Sequence, residues 1–206
     1  MTAPLPGLDP VSASGPATSG PEGHDGDRFG LFADRAGALG VTVTRVATVA
    51  GAAETIEGLA REGDHRTVIV AAGVTVALPG LDAALAGHGI EVDPAGDPAR
   101  TRDAPLGISW AATAIAETGS VLLAEPTLDD RAVGMLVLTH VVLCPAAGLR
   151  ATLEDAADAL RAIARQPGGS YATLVTGPSR TADIERVLTV GVQGPSRVVV
   201  IFIDEP

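Results

Sequence analysis

The run Val198–Ile203, "VVVIFI", offers no polar position in six consecutive residues. A strand with one face in water alternates apolar and polar side chains, so a strand apolar at every position must be covered on both faces. That requirement points to a sheet sandwiched between helices. "VTVTRVA" (Val41–Ala47), "TVIVAA" (Thr67–Ala72), "IEV" (from Ile90) and "HVVLCP" (His140–Pro145) are further strand-like runs. Between them lie helical patterns: "FGLFADRAGAL" from Phe29, "AAETIEGLAREG" ending at Gly63, and "LPGLDAALAGHG" with Gly87 and Gly89 near its stop. Helix and strand alternate three times, the signature of a parallel sheet with crossover helices. The predicted class is α/β, Rossmann-like, with a mostly parallel sheet and helices on both faces.

The second half is less regular. "PLGISWAATAIAETGSVLLAEP" reads as a small-residue turn or helix followed by the strand "SVLLA", and "RAVGMLVL" is short and apolar. "TLEDAADALRAIAR" is the clearest helix, with Thr152 as N-cap and Asp155 three residues on. "YATLVT", a helix after "GPSR" and the strand "RVVVIFID" complete the pattern.

Residues 1–28 differ from the rest, mixing Pro, Gly, Ser and acids without clustered apolar residues. Such a segment cannot bury enough surface to offset its ordering entropy, so it is expected to be a flexible tail ahead of a single α/β domain over residues 29–206. The sequence leaves open whether the tail orders in a homo-oligomer. Aromatics are 2% of the 206 residues, so Ala, Val, Leu and Ile must fill the core. A formal charge of −11 argues against nucleic acid, which demands clustered Lys and Arg. The single Cys144 lies in an apolar run and is expected to pack in the core. No apolar run reaches the roughly 18 residues of a membrane span, and the N-terminus lacks signal-peptide features, so a cytoplasmic protein is expected.

Three stretches could carry chemistry. In "TGPSRTADIE" (Thr176–Glu185), Gly177 and Pro178 break a strand, and Ser179 or Thr181 is placed to cap a following helix. Free N–H groups at that helix start, with the charge of Arg180, would attract an anion. An ordinary strand-to-helix turn accounts for the same residues. In "AETGSVLLAEP", Glu117, Thr118 and Ser120 put a carboxylate and two hydroxyls around Gly119, with Glu117 either a catalytic acid, base or ligand-orienting group, or a solvated turn residue. His140 is either a core-border histidine or a general base near neutral pH. His65 and His88 sit in charged or glycine-rich surroundings, and no histidines have metal-ligand spacing. Phosphate-loop, dinucleotide and nucleophile-elbow signatures are missing from the sequence.

Together, "GISWAATAIAETGSVLL", "HVVLCPAAGL" and "VTGPSRTADIERVLTVGVQGPSRVVVIFID" resemble the lactate-utilisation protein C family, or LUD domain, over about Gly107–Asp204. The resemblance implies a fold similar to the NagB/RpiA/CoA-transferase group. It also implies a part in oxidising L-lactate to pyruvate beside separate iron–sulfur proteins. It carries over Glu117, Thr118, Gly119, His140, Gly177, Ser179, Arg180, Thr181 and Asp183 as site residues, with Gly191, Gly194 and Pro195 from the second turn. Gln193 stands where the family commonly has histidine, so a proton relay there is in doubt while binding survives. The implied ligand is a small anionic metabolite or the anionic group of a cofactor whose identity the sequence leaves unknown. The alternatives are a non-catalytic subunit docking on iron–sulfur partners, and an enzyme handling acyl-CoA or phosphate.

Overall fold

The structure, a computed structural model, describes residues 25–166, 171–181, 189–190 and 194–206. Helix α1 (Asp25–Ala38) buries Phe32 and Ala36 and is followed by a turn at Gly40, whose φ is +84°. Strand β1 (Val41–Thr48) leads into α2 (Val49–Glu62), capped by the Thr48 hydroxyl accepting from the Gly51 amide at 3.3 Å. Strand β2 (Thr67–Val70) is followed by α3 (Ala72–Ala77) and α4 (Leu81–Gly87), then β3 (Glu91–Pro94) and α5 (Pro98–Thr101). The long β4 (Leu106–Ile115) turns back into β5 (Ser120–Glu125), which leads to α6 (Leu128–Leu136) and β6 (Thr139–Pro145). The short β7 (Leu149–Arg150), α7 (Ala157–Ala164) and β8 (Tyr171–Val175) follow. Strands β9 (Arg180–Thr181) and β10 (Thr189–Val190) pair with each other, and β11 (Arg197–Glu205) is the last element.

Six strands lie in the order β1-β11-β6-β4-β2-β3, every neighbouring pair parallel. Strand β11 shows why an all-apolar strand belongs at the centre. Val198, Val200 and Phe202 enter one core cluster; Val199, Ile201 and Ile203 enter the other. The first cluster lies against α1, with the Phe32 and Phe202 rings edge-on at 5.0 Å. Buried residues of α2, α3 and α4 belong to the second. Cys144 is wholly buried in the first cluster, as expected of a core residue, and burial pushes its thiol pKa up.

Several sequence expectations are corrected. The stretch taken as a turn or helix, "GISWAATAI", is most of β4. Apart from the exposed Ala112 and the half-buried Trp110, its residues are buried on both faces, which removes the alternation that marks a half-exposed strand. Leu106–Trp110 pair with β6, and Ala111–Ile115 pair with β5 antiparallel with a register shift between Ala111 and Thr113, so β4 belongs to two parts of the sheet. "RAVGMLVL" is largely the end of α6. Thr152 and Asp155 exchange the expected capping bonds, at 3.2 and 3.0 Å, but α7 begins only at Ala157. Helix α1 starts at Asp25, inside the segment assigned to the tail; the rest of that assignment, residues 1–24, lies outside the described residues. No described helix is long and apolar enough to cross a membrane.

Candidate functional site

Strands β2 and β4 are neighbours whose chains leave in opposite directions. After β2, α3 and the following Leu78, Leu81 and Leu85 pack into the cluster shared with α2. After β4, Val121 and Leu123 of β5 pack into the cluster against α1. Such a divergence opens a crevice at the carboxyl ends of the two strands, where open α/β sheets place ligands. Here the crevice is about 380 Å³, walled mainly by Ala72, Val76, Trp110, Ala112, Ala124 and Pro126. It shares Gly73, Trp110 and Ala124 with a smaller recess, also lined by Ser109, Glu125 and Asp130.

The recess is built from buried polar groups. Asp130 receives the Ala72 amide at 2.7 Å on one oxygen and the Thr127 hydroxyl at 2.7 Å on the other. The Thr127 hydroxyl in turn accepts from the Asp130 amide, capping α6 and tying it to the start of α3. Glu125, at the end of β5, receives the Thr173 hydroxyl at 2.5 Å. Burial raises its pKa above the ordinary carboxylate value, against the pull of the Thr173 hydroxyl and the Arg131 charge; Asp130 adds to the rise. Arg131 sits over the Tyr171 ring, 4.4 Å from its centre.

His140 is wholly buried behind this recess, with Nε2 2.9 Å from Ser109 Oγ. Its Nδ1 has no hydrogen-bond partner among the described residues. Burial alone pushes the ring pKa down to about 4, so the imidazole is neutral near pH 7. A serine–histidine pair becomes a nucleophile when an acid orients the far nitrogen. Among the described residues the Ser109–His140 pair has no such acid. Glu125 and His140 meet across Gly134 of α6. A Cβ there would stand 3.2 Å from Glu125 Oε1 and 3.4 Å from His140 Cε1.

The other expected site residues among the described ones, His140 apart, lie around the end of α1 and the turns beside it. Glu117 is exposed, and its Oε1 accepts the Leu153 amide at 2.6 Å. Thr118 is exposed, and Gly119, with φ +64°, lies directly beneath α1. The Ser120 and Thr176 hydroxyls, 2.8 Å apart, join this turn to the one after β8. Gly177 (φ +125°) packs on Leu39, and the exposed Arg180 donates to the Leu39 carbonyl. The Ser179 amide donates to the Pro195 carbonyl at 2.9 Å, so the two Gly-Pro-Ser-Arg stretches contact each other. Gly194 abuts Ser179, while the Ser196 amide donates to the Leu138 carbonyl. Arg180 and Thr181 form a short strand, and the helix expected after them falls on residues 182–188, outside the described residues. Asp183, Gly191 and Gln193 lie outside the described residues.

Residues 30–203 match the family model of the LUD domain. The chain belongs to the LUD domain family. Among its relatives, Lactate utilization protein C of Anoxybacillus flavithermus is 33% identical over 102 residues, covering 50% of this chain and 45% of that protein. The Lactate utilization protein C of Bacillus subtilis is 32% identical over 112 residues, 52% of this chain and 45% of that one. The chain thus aligns with a little under half the length of these relatives. A crystal structure of a DUF162 family protein from Deinococcus radiodurans shares the fold at TM-score 0.59 and 24% identity, over 87% of this chain and 98% of that one.

In this LUD domain, Ser109, Trp110, Glu125 and Asp130 are site candidates that the motifs did not single out. Thr127 and Asp130 carried a legible signal, the hydroxyl-x-x-acid spacing of a capping box. Glu125 carried a weaker one, an acid closing an apolar strand. Ser109 and Trp110 became visible only with the strand assignment of β4. Among the described residues, no group of three or more His, Cys, Asp or Glu is placed to hold a metal ion.

Proposed function

We propose that this chain serves lactate utilisation by binding a small molecule in the crevice between β2, β4 and β5. The pathway comes from the relatives named for lactate utilisation. It extends to oxidation of lactate to pyruvate beside iron–sulfur proteins in the cytoplasm. The observation that carries the binding reading is Glu125, a buried carboxyl with a raised pKa beside a crevice at a topological switch point. Arg180, the basic group of the anion-site expectation, is engaged with Leu39 at a different place. The crevice is therefore the better-supported ligand site. The test is growth on L-lactate as sole carbon source after deletion of the gene. Complementation by the wild-type chain but not by a folded Glu125→Ala variant supports the reading. Full complementation by that variant overturns it.

A second reading, a docking subunit, is favoured by β8. Among the described strands β8 pairs only with β5, and it leaves Tyr171 55% and Leu174 45% exposed. Tyr171→Ser with Leu174→Ser should then abolish lactate growth while the crevice still binds ligand.

A further inference from the structure

The chemistry of the crevice walls restricts what can enter. We infer that its ligand carries a flat or aliphatic apolar body and a head that donates hydrogen bonds, cationic or neutral, and that a free carboxylate or phosphate is not its ligand. This rests on the crevice being the ligand site.

Charge is the first argument. Among the described residues lining crevice and recess, the only ionisable side chains are Glu125 and Asp130; no Lys, Arg or His lines either space. Asp130 already takes the Ala72 amide, the backbone donor an anion would need at the start of α3. The nearby cation, Arg131, lies over the Tyr171 ring. Among the lining groups an incoming anion would find neutral donors such as the Gln166 amide, but no balancing cation. Glu125, with one oxygen on Thr173 and the other against Gly134, lines the recess that adjoins the crevice, so a donor head suits it better than an acceptor.

Shape is the second. Trp110 is half-buried and lines the crevice together with small apolar residues of α3 and the β5 end. An indole among Ala and Pro suits a flat apolar body, and an indole ring favours a cation over an anion. At the mouth Val76 is 84% exposed, which leaves apolar surface for a ligand to cover.

Benzamidinium, benzamide and benzoate share one shape and differ in charge, and the chain contains a single tryptophan. Titration of each probe into the full chain, read by Trp110 fluorescence and by calorimetry, separates the cases. The expected order is benzamidinium, then benzamide, then benzoate, the ends differing by roughly tenfold or more. Glu125→Gln should remove the advantage of the cation over the amide. Because that position is buried, the exposed Val76→Lys offers a check that does not depend on core packing. It should weaken benzamidinium and strengthen benzoate. Benzoate binding as tightly as benzamidinium to the wild-type chain overturns the inference while leaving the crevice as a ligand site. Failure of all three probes in both measurements removes the crevice reading and this inference with it.

Discussion

Gly119 passes beneath Ala36 so closely that a Cβ on it would stand 2.5 Å from the Ala36 nitrogen. The obstacle is helix backbone, which cannot swing aside as a side chain can. The positive φ of +64° adds strain for any L side chain. Gly119→Ala should therefore lift the end of α1 off the β4–β5 turn and lower stability by about 2–4 kcal/mol, read by urea unfolding. A loss below about 1 kcal/mol would show that α1 moves freely and that this glycine is not its seat.

Burial of His140 predicts a pH dependence of defined sign. The ring titrates near 6.5 when exposed and near 4 in the folded chain. Between those values the unfolded chain holds the extra proton, so stability falls as pH drops from 6.5 towards 4, by about 3 kcal/mol in all. Glu125 opposes this, because its folded pKa is raised. Its contribution is full below 4.5 and fades as pH climbs through the raised value. Denaturant unfolding across pH 4 to 7 should show a steeper rise with pH in Glu125→Gln than in the wild type. Adding His140→Asn to that variant should flatten the rise. An unchanged slope after loss of the histidine would mean that the folded ring protonates more easily than its burial implies.

The parallel sheet was legible because its strands are either apolar throughout or bounded by glycine-stopped helices, as at Gly63 and Val198–Ile203. The strand β4 was not legible. Ala111, Ala112 and Ala114 also suit a helix, and only pairing with β6 and β5 makes the extended form the better one. The site was partly legible for the same reason. Glu117, Gly119, Gly177 and Arg180 stand out in the sequence, yet the structure gives them contacts with Leu153, Ala36 and Leu39. Glycines forced by close packing look the same in a sequence as glycines that admit a ligand. Glu125 and Ser109 are brought together with His140 by strand order, which no local pattern states.

Glu117 should behave as a turn-holding acceptor. Its Oε1 receives the Leu153 amide at 2.6 Å, linking the β4–β5 turn to the segment before α7. Glu117→Ala should cost about 1 kcal/mol, whereas Glu117→Gln retains an oxygen acceptor and should cost less. Neither change should alter the Trp110 fluorescence response to benzamidinium. A weakened response with unchanged stability would return Glu117 to the binding site.

Arg180 provides the sharpest contrast between holding a loop and holding an anion. Its Nη2 donates to the Leu39 carbonyl, and a Cβ on Gly40 would lie 3.6 Å from that same nitrogen, so the guanidinium rests against the α1–β1 turn. Gly177 packs on Leu39 from the same segment, with φ +125° that only glycine adopts readily. Replacing Arg180 with Ala removes a charge-assisted bond at an exposed position, for which about 1 kcal/mol is the expected loss. Lysine carries the charge but lacks the planar fork, so Arg180→Lys should be nearly as destabilising if the bond to Leu39 is what matters. Thermal unfolding of the three proteins in increasing phosphate decides the issue. Parallel shifts with phosphate in wild type, Arg180→Ala and Arg180→Lys assign the residue to the loop. A phosphate response present in the wild type, kept by lysine and lost in alanine would make Arg180 the anion ligand and reopen the turn after β8 as a binding site.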